Sequence, residues 1–463
     1  MRSVNLMSAA AALAFILAPV ASVADPPRAA PTSQAQVQLS YGPVAAKASP
    51  AVVYVYAQRV TKAIVPDPRF AQFGIAIGVP REQIEKSLGS GVLVRGDGVI
   101  ATNHHVIEGA DSLKIVLDDR REFDAKLLLD DPSTDLAVLK IDTKGEKLPT
   151  LALADTHALQ VGDLVLAIGN PYGLQQTVTS GIVSALGRTD VTRNDFSFYI
   201  QTDASINRGN SGGALVDMQG KLVGINTAII SSTGDSNGLG FAIPSEMVGR
   251  VVDNALSGGK VVRPWLGVKG QPVTQDLAKS LGLSSPQGVL IAEIYPGGAA
   301  DKGGLQRGDV VLSANGTAVN DDASLKYQAA TQKPGSTIAL AVVRGGKRIT
   351  VNAPASPAPR APADPRVITA VSPLQGTHIV TLSPAQAEDL GVDAFTSGVI
   401  IDELDGRGIA ARVGFRPGDV IFAVNGQPVK TSAELDKLMK SGARNWRIGV
   451  DRGGQKNELA VQL

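Results

Sequence analysis

The chain has 463 residues, enough for about three domains at ~150 residues each. Its 44% hydrophobic and 19% charged content is that of an ordinary globular protein, and 50 glycines with 27 prolines point to turns and linkers. A net charge of +1 argues for no nucleic acid or anionic surface as partner, and zero cysteines exclude a thiol nucleophile, a disulfide framework and a cysteine metal site.

At the N-terminus, Arg2 precedes an apolar stretch from about Leu6 to Val20 and then Ala21-Ser22-Val23-Ala24. This reads as a secretory signal over 1–24, cleaved after Ala24. The run is shorter than the ~20 residues of a spanning helix, so membrane association is expected to be peripheral at most. Residues 25–40, rich in Ala, Pro, Gln and Ser, read as a mobile leader.

From Val52 to about Ile243, short Val/Ile/Leu runs are broken by Gly, Asn and Asp at close intervals. That is a mainly β pattern, and it predicts two packed barrels within a domain spanning 41–260. The stretch Pro66 to Lys86 interrupts it with polar and small residues, and Pro244 to Val252 reads as a capped helix leaving the domain.

Within the domain, Gln201 to Gly213 places Ser211 on a glycine-rich turn. A hydroxyl is a poor nucleophile without a base in reach and N–H groups aimed at the developing oxyanion. The N–H groups of Gly209 and Ser211 are the candidate donors. Four histidines limit the choice of base. His104 and His105 follow the short strand Val99-Ile100-Ala101, and spacing alone admits either; being adjacent they diverge, so no zinc spacing is present and no metal or cofactor is expected. Asp135 stands where Asp130 to Thr134 turns into the apolar run Leu136 to Leu139. Each of these residue types alone is more often structural than catalytic, but the order His, Asp, Ser is that of chymotrypsin-like enzymes. Ser205, six residues before Ser211, is not acidic, which disfavours Lys or Arg in the substrate. With Ile206, Ala228 and Ile229 it predicts a small aliphatic pocket. Asn210, Asn226 and Thr227 complete the expected substrate-binding set, with 226–228 as the strand along which substrate backbone pairs.

The C-terminal half is an internal repeat: Gly288 to Gly398 and Gly308 to Gly418 are both 110 positions apart, within matching Gly-Val-x-Ile and Gly-Asp-Val segments. The two copies, over 261–353 and 367–463, resemble PDZ domains and flank a Pro-rich, semi-rigid linker over 354–366. PDZ modules add an extended C-terminus to a sheet edge and capture its carboxylate with backbone N–H groups. Trp265-Leu266-Gly267-Val268 fits that loop in the first copy. Leu374-Gln375-Gly376-Thr377 is a looser match in the second, where packing and peptide capture both stay open.

Leu88-Gly89-Ser90-Gly91-Val92, Thr102-Asn103-His104-His105-Val106, Asp135 to Leu139, Ala167 to Pro171, Gly181 to Ala185, the serine segment and Gly238 to Pro244 together resemble the HtrA/Deg (Do-like) trypsin-like serine proteases with PDZ domains. The resemblance implies His105 as base, because the histidine directly before the valine is the family's. It also implies a regulatory role for Arg188, a bacterial periplasmic location, a homotrimer or larger homo-oligomer, and ATP-independent endopeptidase action on unfolded proteins, with C-terminal peptides as PDZ ligands. A holdase chaperone or PDZ scaffold with an idle triad is the alternative.

Overall fold

The computed structural model describes residues 40–66, 78–170, 176–191, 196, 198–207, 209–229, 238–258, 261–360, 364–390 and 392–463. The expected signal and all but the last residue of the leader lie outside the described residues.

Twelve strands form two closed six-stranded barrels, as the short-run pattern predicts. The first comprises β1 (Val52–Pro66), β2 (Gly78–Arg95), β3 (Val99–Thr102), β4 (Ser112–Val116), β5 (Glu122–Asp131) and β6 (Leu136–Ile141), in the order β1-β2-β3-β6-β5-β4. The second comprises β7 (Leu164–Gly169), β8 (Thr177–Arg188), β9 (Tyr199–Thr202), β10 (Ala214–Val216), β11 (Leu222–Ile229) and β12 (Gly240–Pro244), in the order β10-β11-β12-β9-β8-β7. Closure removes exposed sheet edges and leaves the cleft between barrels as the place where loops from both can meet.

Two sequence expectations need correction. The stretch read as a polar interruption of the β pattern is in part a strand: β2 begins at Gly78 and pairs antiparallel with β1 from Pro66↔Gly78 to Val52↔Val92. Backbone pairing needs no apolar side chains, so composition gave no signal. The helix expected after β12 runs Ser245–Leu256 with no side-chain cap. The Ser245 hydroxyl instead donates to the Ala154 carbonyl at 2.7 Å. Its apolar stripe Met247, Val248, Val251, Val252 and Ala255 is buried and packs back across β5 and β6. Burial of each larger side chain contributes roughly 1.5–3 kcal/mol.

The repeat appears as two sheets. β13 (Val268–Pro272), β14 (Val289–Ile294), β15 (Val310–Ala314), β17 (Thr337–Arg344) and β18 (Lys347–Pro354) form one, with β16 (Thr317–Ala318) paired to β15. β19 (Arg366–Val367), β20 (His378–Thr381), β21 (Val399–Glu403), β22 (Val420–Val424), β24 (Asn445–Arg452) and β25 (Gln455–Gln462) form the other, with β23 (Gln427–Pro428) paired to β22. The same ion pair recurs in both. Arg344 forks onto Asp309 at 2.7 Å through both Nε and Nη2, and Arg452 onto Asp419 at 2.6 and 2.7 Å. The start of the Pro-rich stretch is not free-standing, since Trp265 N–H donates to the Ser356 carbonyl at 2.8 Å. Residues 361–363 lie outside the described residues.

Candidate active site

Asp135 lies at the turn between β5 and β6 with φ of 55°, a left-handed conformation that Asp tolerates better than most residues. Its main-chain carbonyl accepts from Asn103 Nδ2 at 2.9 Å and from the His104 N–H at 3.2 Å, which ties this turn to the histidine segment. Its carboxylate meets His105 Nδ1 at 2.8 and 2.9 Å, the His105 N–H at 3.1 Å and the Thr227 hydroxyl at 2.5 Å. Burial disfavours the charged carboxylate, but the hydrogen bonds and charge of His105 and the Thr227 hydroxyl outweigh it, holding the pKa below the ordinary carboxylate value. His104 turns elsewhere: its Nδ1 lies 2.7 Å from Asp130 Oδ1. Of the two histidines that spacing left open, His105 is the one that reaches Asp135.

Ser211 stands between β9 and β10, at the joint of the barrels. Gly212, at φ of 82°, is the position that fixes this turn, because a Cβ there would collide with the Ser90 carbonyl and the Thr102 hydroxyl. Ser90 is the staple. Its N–H donates to the Ser211 carbonyl at 2.8 Å, its hydroxyl donates to the Gly209 carbonyl at 2.6 Å, and that same oxygen accepts from the Asn170 N–H at 2.8 Å. Sequence reading missed this role, although glycines on both sides of Ser90 marked a close backbone approach. The Ser211 hydroxyl donates to the Thr227 carbonyl at 3.3 Å. Among the described residues it makes no hydrogen bond to His105, and the N–H groups of Gly209 and Ser211 have no acceptor.

The expected substrate-binding residues divide. Asn210 and Asn226 are buried, and Asn226 Nδ2 donates to the Ala214 carbonyl at 3.0 Å while its N–H donates to the Gly213 carbonyl at 2.9 Å. Asn226 thus braces the serine turn from inside. Thr227 uses its hydroxyl on Asp135. Ile206 is buried against Gly240, and Ser205 is exposed with its carbonyl accepting from Thr179 at 2.8 Å. The side chains of Ala228 and Ile229 lie outside the described residues.

The 261–360 unit docks on the second barrel near Arg188. Arg188 pairs with Asp190 at 3.0 Å on the surface, and next to it Thr189 donates to Asp321 at 2.7 Å. Phe198 stacks on Tyr327 with ring centroids 4.1 Å apart. A cleft of ≈ 340 Å³ opens along this seam. At its edge Asp155, His157 and Glu246 have ligand atoms within 4.8 Å of one another. Each already has a structural use: Asp155 accepts from the His157 N–H at 3.0 Å, Glu246 from the Thr156 N–H at 3.1 Å, and His157 Nδ1 lies 3.1 Å from Thr317 Oγ1.

Residues 89–225 match the trypsin-like peptidase domain family, and 264–354 and 400–452 each match a PDZ domain family. The periplasmic serine endoprotease DegP of Salmonella typhimurium is 40% identical over 82% of this chain and 78% of its own. The periplasmic pH-dependent serine endoprotease DegQ of Escherichia coli is 39% identical over 91% of each. The chain belongs to this HtrA-type family. It is a serine endopeptidase, which favours hydrolysis over an idle triad. A solved HtrA-type protease, AlgW with a decapeptide, is 41% identical, covers 70% of this chain and 100% of its own, and has a TM-score of 0.52. AlgW with a tripeptide superposes with a TM-score of 0.53. Among the described residues, no helix of this HtrA-type chain is long and apolar enough to cross a membrane.

The loops of the two PDZ units differ in a way that bears on peptide capture. Among the described residues, the N–H groups of Leu266 and Gly267 have no acceptor. In the second copy, Gln375, Gly376 and Thr377 all spend theirs internally, on Ser372, Ile368 and Leu374.

Proposed function

We propose that Ser211, His105 and Asp135 are the triad with which this endopeptidase cleaves unfolded or misfolded exported proteins. The observation that supports it is the Asp135 carboxylate holding His105 Nδ1 at 2.8 Å, beside a serine turn whose Gly209 and Ser211 donors have no acceptor among the described residues. Asp135 fixes the tautomer that leaves Nε2 as the proton acceptor. Ser211 Oγ turns from the Thr227 carbonyl toward Nε2, passes its proton there and attacks the scissile carbonyl. The oxyanion takes the N–H groups of Gly209 and Ser211. The proton on Nε2 goes to the leaving amine as the C–N bond breaks, and water then repeats the sequence to release the acid.

Ser205 and Ile206, with Ala228 and Ile229, are proposed to favour Val, Ala, Ile or Leu on the acyl side. Such residues are buried in folded proteins and exposed in unfolded ones. No step needs ATP. The unit at 261–353 is proposed to capture C-terminal peptides through Trp265 to Val268, and Arg188 to take part in regulation. We further place the mature enzyme, 25–463 after cleavage behind Ala24, in the periplasm as a homotrimer or larger assembly. The test is digestion of a reduced, unfolded protein by wild type and by Ser211→Ala. The variant should leave the substrate intact, and equal loss in both samples would defeat the assignment. Sequencing the fragments reads the pocket: Lys or Arg before the cut would overturn the aliphatic preference.

A further inference from the structure

β13 is the terminal strand of the first PDZ sheet, so its outer edge is where a captured peptide would add. That edge is already engaged. The Gly270 N–H donates to Asp322 Oδ1 at 3.0 Å, from the first residue of helix Asp322–Ala330, and Asp322 in turn pairs with Lys326 at 2.8 Å. Beside the Trp265–Val268 loop the second PDZ unit also makes contact. Phe395 stands against Trp265 and Tyr295, with ring centroids at 6.1 and 5.9 Å, while Trp265 and Tyr295 meet each other at 5.3 Å. Lys269, on β13 itself, lies over the Phe395 ring at 4.9 Å and pairs with Asp393 at 2.6 Å. The segment is shaped for this: Asp393 also accepts from the Phe395 N–H at 2.9 Å through its side chain and from the Thr396 N–H at 2.7 Å through its carbonyl.

An aromatic clasped by two rings and a cation, plus one ion pair, is a specific contact of modest strength. A ring pair and an exposed cation–π contact each stabilise only modestly. The exposed Lys269–Asp393 pair adds little. That is enough to bias an equilibrium and too little to lock it.

We propose that residues 392–396 of the second PDZ unit are an internal occupant of the first unit's peptide site, clasped through Phe395 and Asp393, and that a C-terminal peptide must displace them to bind fully. The inference rests on the reading that the first PDZ unit captures C-termini. It gives the second unit a purpose compatible with its own loop having spent its N–H groups: it guards its neighbour. A peptide pays the opening equilibrium in its apparent affinity, so a clasp closed nine times in ten weakens binding about tenfold.

The test uses the full chain carrying Ser211→Ala, so that the probe survives. The probe is a fluorescein-labelled decapeptide ending Val-Ala-Val with a free carboxylate, and its C-terminal amide is the control. Phe395→Ala with Asp393→Asn should bind the acid about tenfold more tightly by anisotropy and the amide weakly. Equal affinity for the acid in parent and double variant overturns the clasp while leaving peptide capture standing. Failure of both to bind overturns peptide capture and the clasp with it. Because the chain has no cysteine, Lys269→Cys with Asp393→Cys can be bridged by a short bis-maleimide in the folded protein. Bridged protein should lose peptide binding relative to the same variant capped singly with N-ethylmaleimide. Unchanged binding in the bridged protein also overturns the proposal.

Discussion

Thr227 donates its hydroxyl to the Asp135 carboxylate at 2.5 Å while its carbonyl accepts from the Ser211 hydroxyl at 3.3 Å. One residue of β11 therefore touches both ends of the proposed triad. The carbonyl contact occupies the Ser211 hydroxyl, and the hydroxyl contact braces the Asp135 carboxylate that meets His105.

Thr227→Val keeps the shape of the side chain and removes only the donor. Hydrogen bonds to charged groups contribute about 1.5–3 kcal/mol, so kcat/KM should fall roughly tenfold or more, chiefly in kcat. A change confined to KM would mean that Thr227 serves substrate binding alone.

The same pair sets a pH dependence of stability. The folded pKa of Asp135 is depressed, so its contribution to stability is present above the unfolded carboxylate value and is lost as pH falls through the folded one. Thr227→Val should consequently lower the melting temperature at pH 7 and converge with wild type well below pH ~3.9. Equal penalties at both pH values would show that lost packing, and not the carboxylate, is responsible. Asp135→Asn should reduce kcat by on the order of 10³–10⁴-fold, through loss of the imidazole tautomer.

The serine turn gives a comparison between glycines. Gly212 and Gly145 both have positive φ, at 82° and 87°, but a Cβ on Gly212 meets the Ser90 carbonyl and one on Gly145 meets nothing within 4 Å. Gly145→Ala should cost roughly 1 kcal/mol and leave activity unchanged. Gly212→Ala should abolish activity and destabilise the fold by more, because backbone must move. Wild-type turnover by Gly212→Ala would show that the turn tolerates the displacement.

The barrels, the repeat and the serine, histidine and aspartate turns were legible because each writes a local pattern. Short β-branched runs marked strands, glycines marked turns, and an identical offset marked two copies. What was illegible is contact between residues far apart. Nothing near Thr227 indicates that its hydroxyl is used on Asp135, and nothing near Phe395 announces Trp265. Ser90 lay in a quoted motif, yet its hydrogen bonds to Gly209, Ser211 and Asn170 appear only once the two barrels face each other. Asn226 was placed on the substrate strand by position alone, and packing turned its amide inward to Ala214. The polar arm at the start of β2 failed for another reason, since its order comes from backbone pairing that composition does not record.

The repeated Arg–Asp forks should act as independent anchors of the two PDZ units. Asp309 and Asp419 are each 1% exposed in their pairs, whereas Arg344 and Arg452 are partly exposed. Removing one partner of a fully buried pair costs about 3–5 kcal/mol. Partial solvation of the arginines reduces that to roughly 2–3 kcal/mol for Arg344→Ala or Arg452→Ala. Lysine at either position should rescue little, because a point charge cannot reproduce the fork. Calorimetry that shows Arg452→Ala lowering only the second unit's transition, and Arg344→Ala only the first's, would support separate anchoring.

Tyr327 tests what holds the first PDZ unit against the second barrel. Its ring stacks on Phe198 at 4.1 Å, while its hydroxyl is buried without a hydrogen-bond partner among the described residues, and burial pushes the phenol pKa up. The ring and the hydroxyl should therefore pull in opposite directions. Tyr327→Phe removes a desolvated polar group and keeps the stack, so the melting temperature should hold or rise, by up to about 1–3 kcal/mol of stability. Tyr327→Ala removes the stack as well and should cost about 3–5 kcal/mol in the manner of other large-to-small core changes. Tryptic cleavage after Arg188 should then become faster in the alanine variant and not in the phenylalanine one. Destabilisation by Tyr327→Phe would mean that the hydroxyl is bonded in solution and that the seam is held by polarity as well as by stacking.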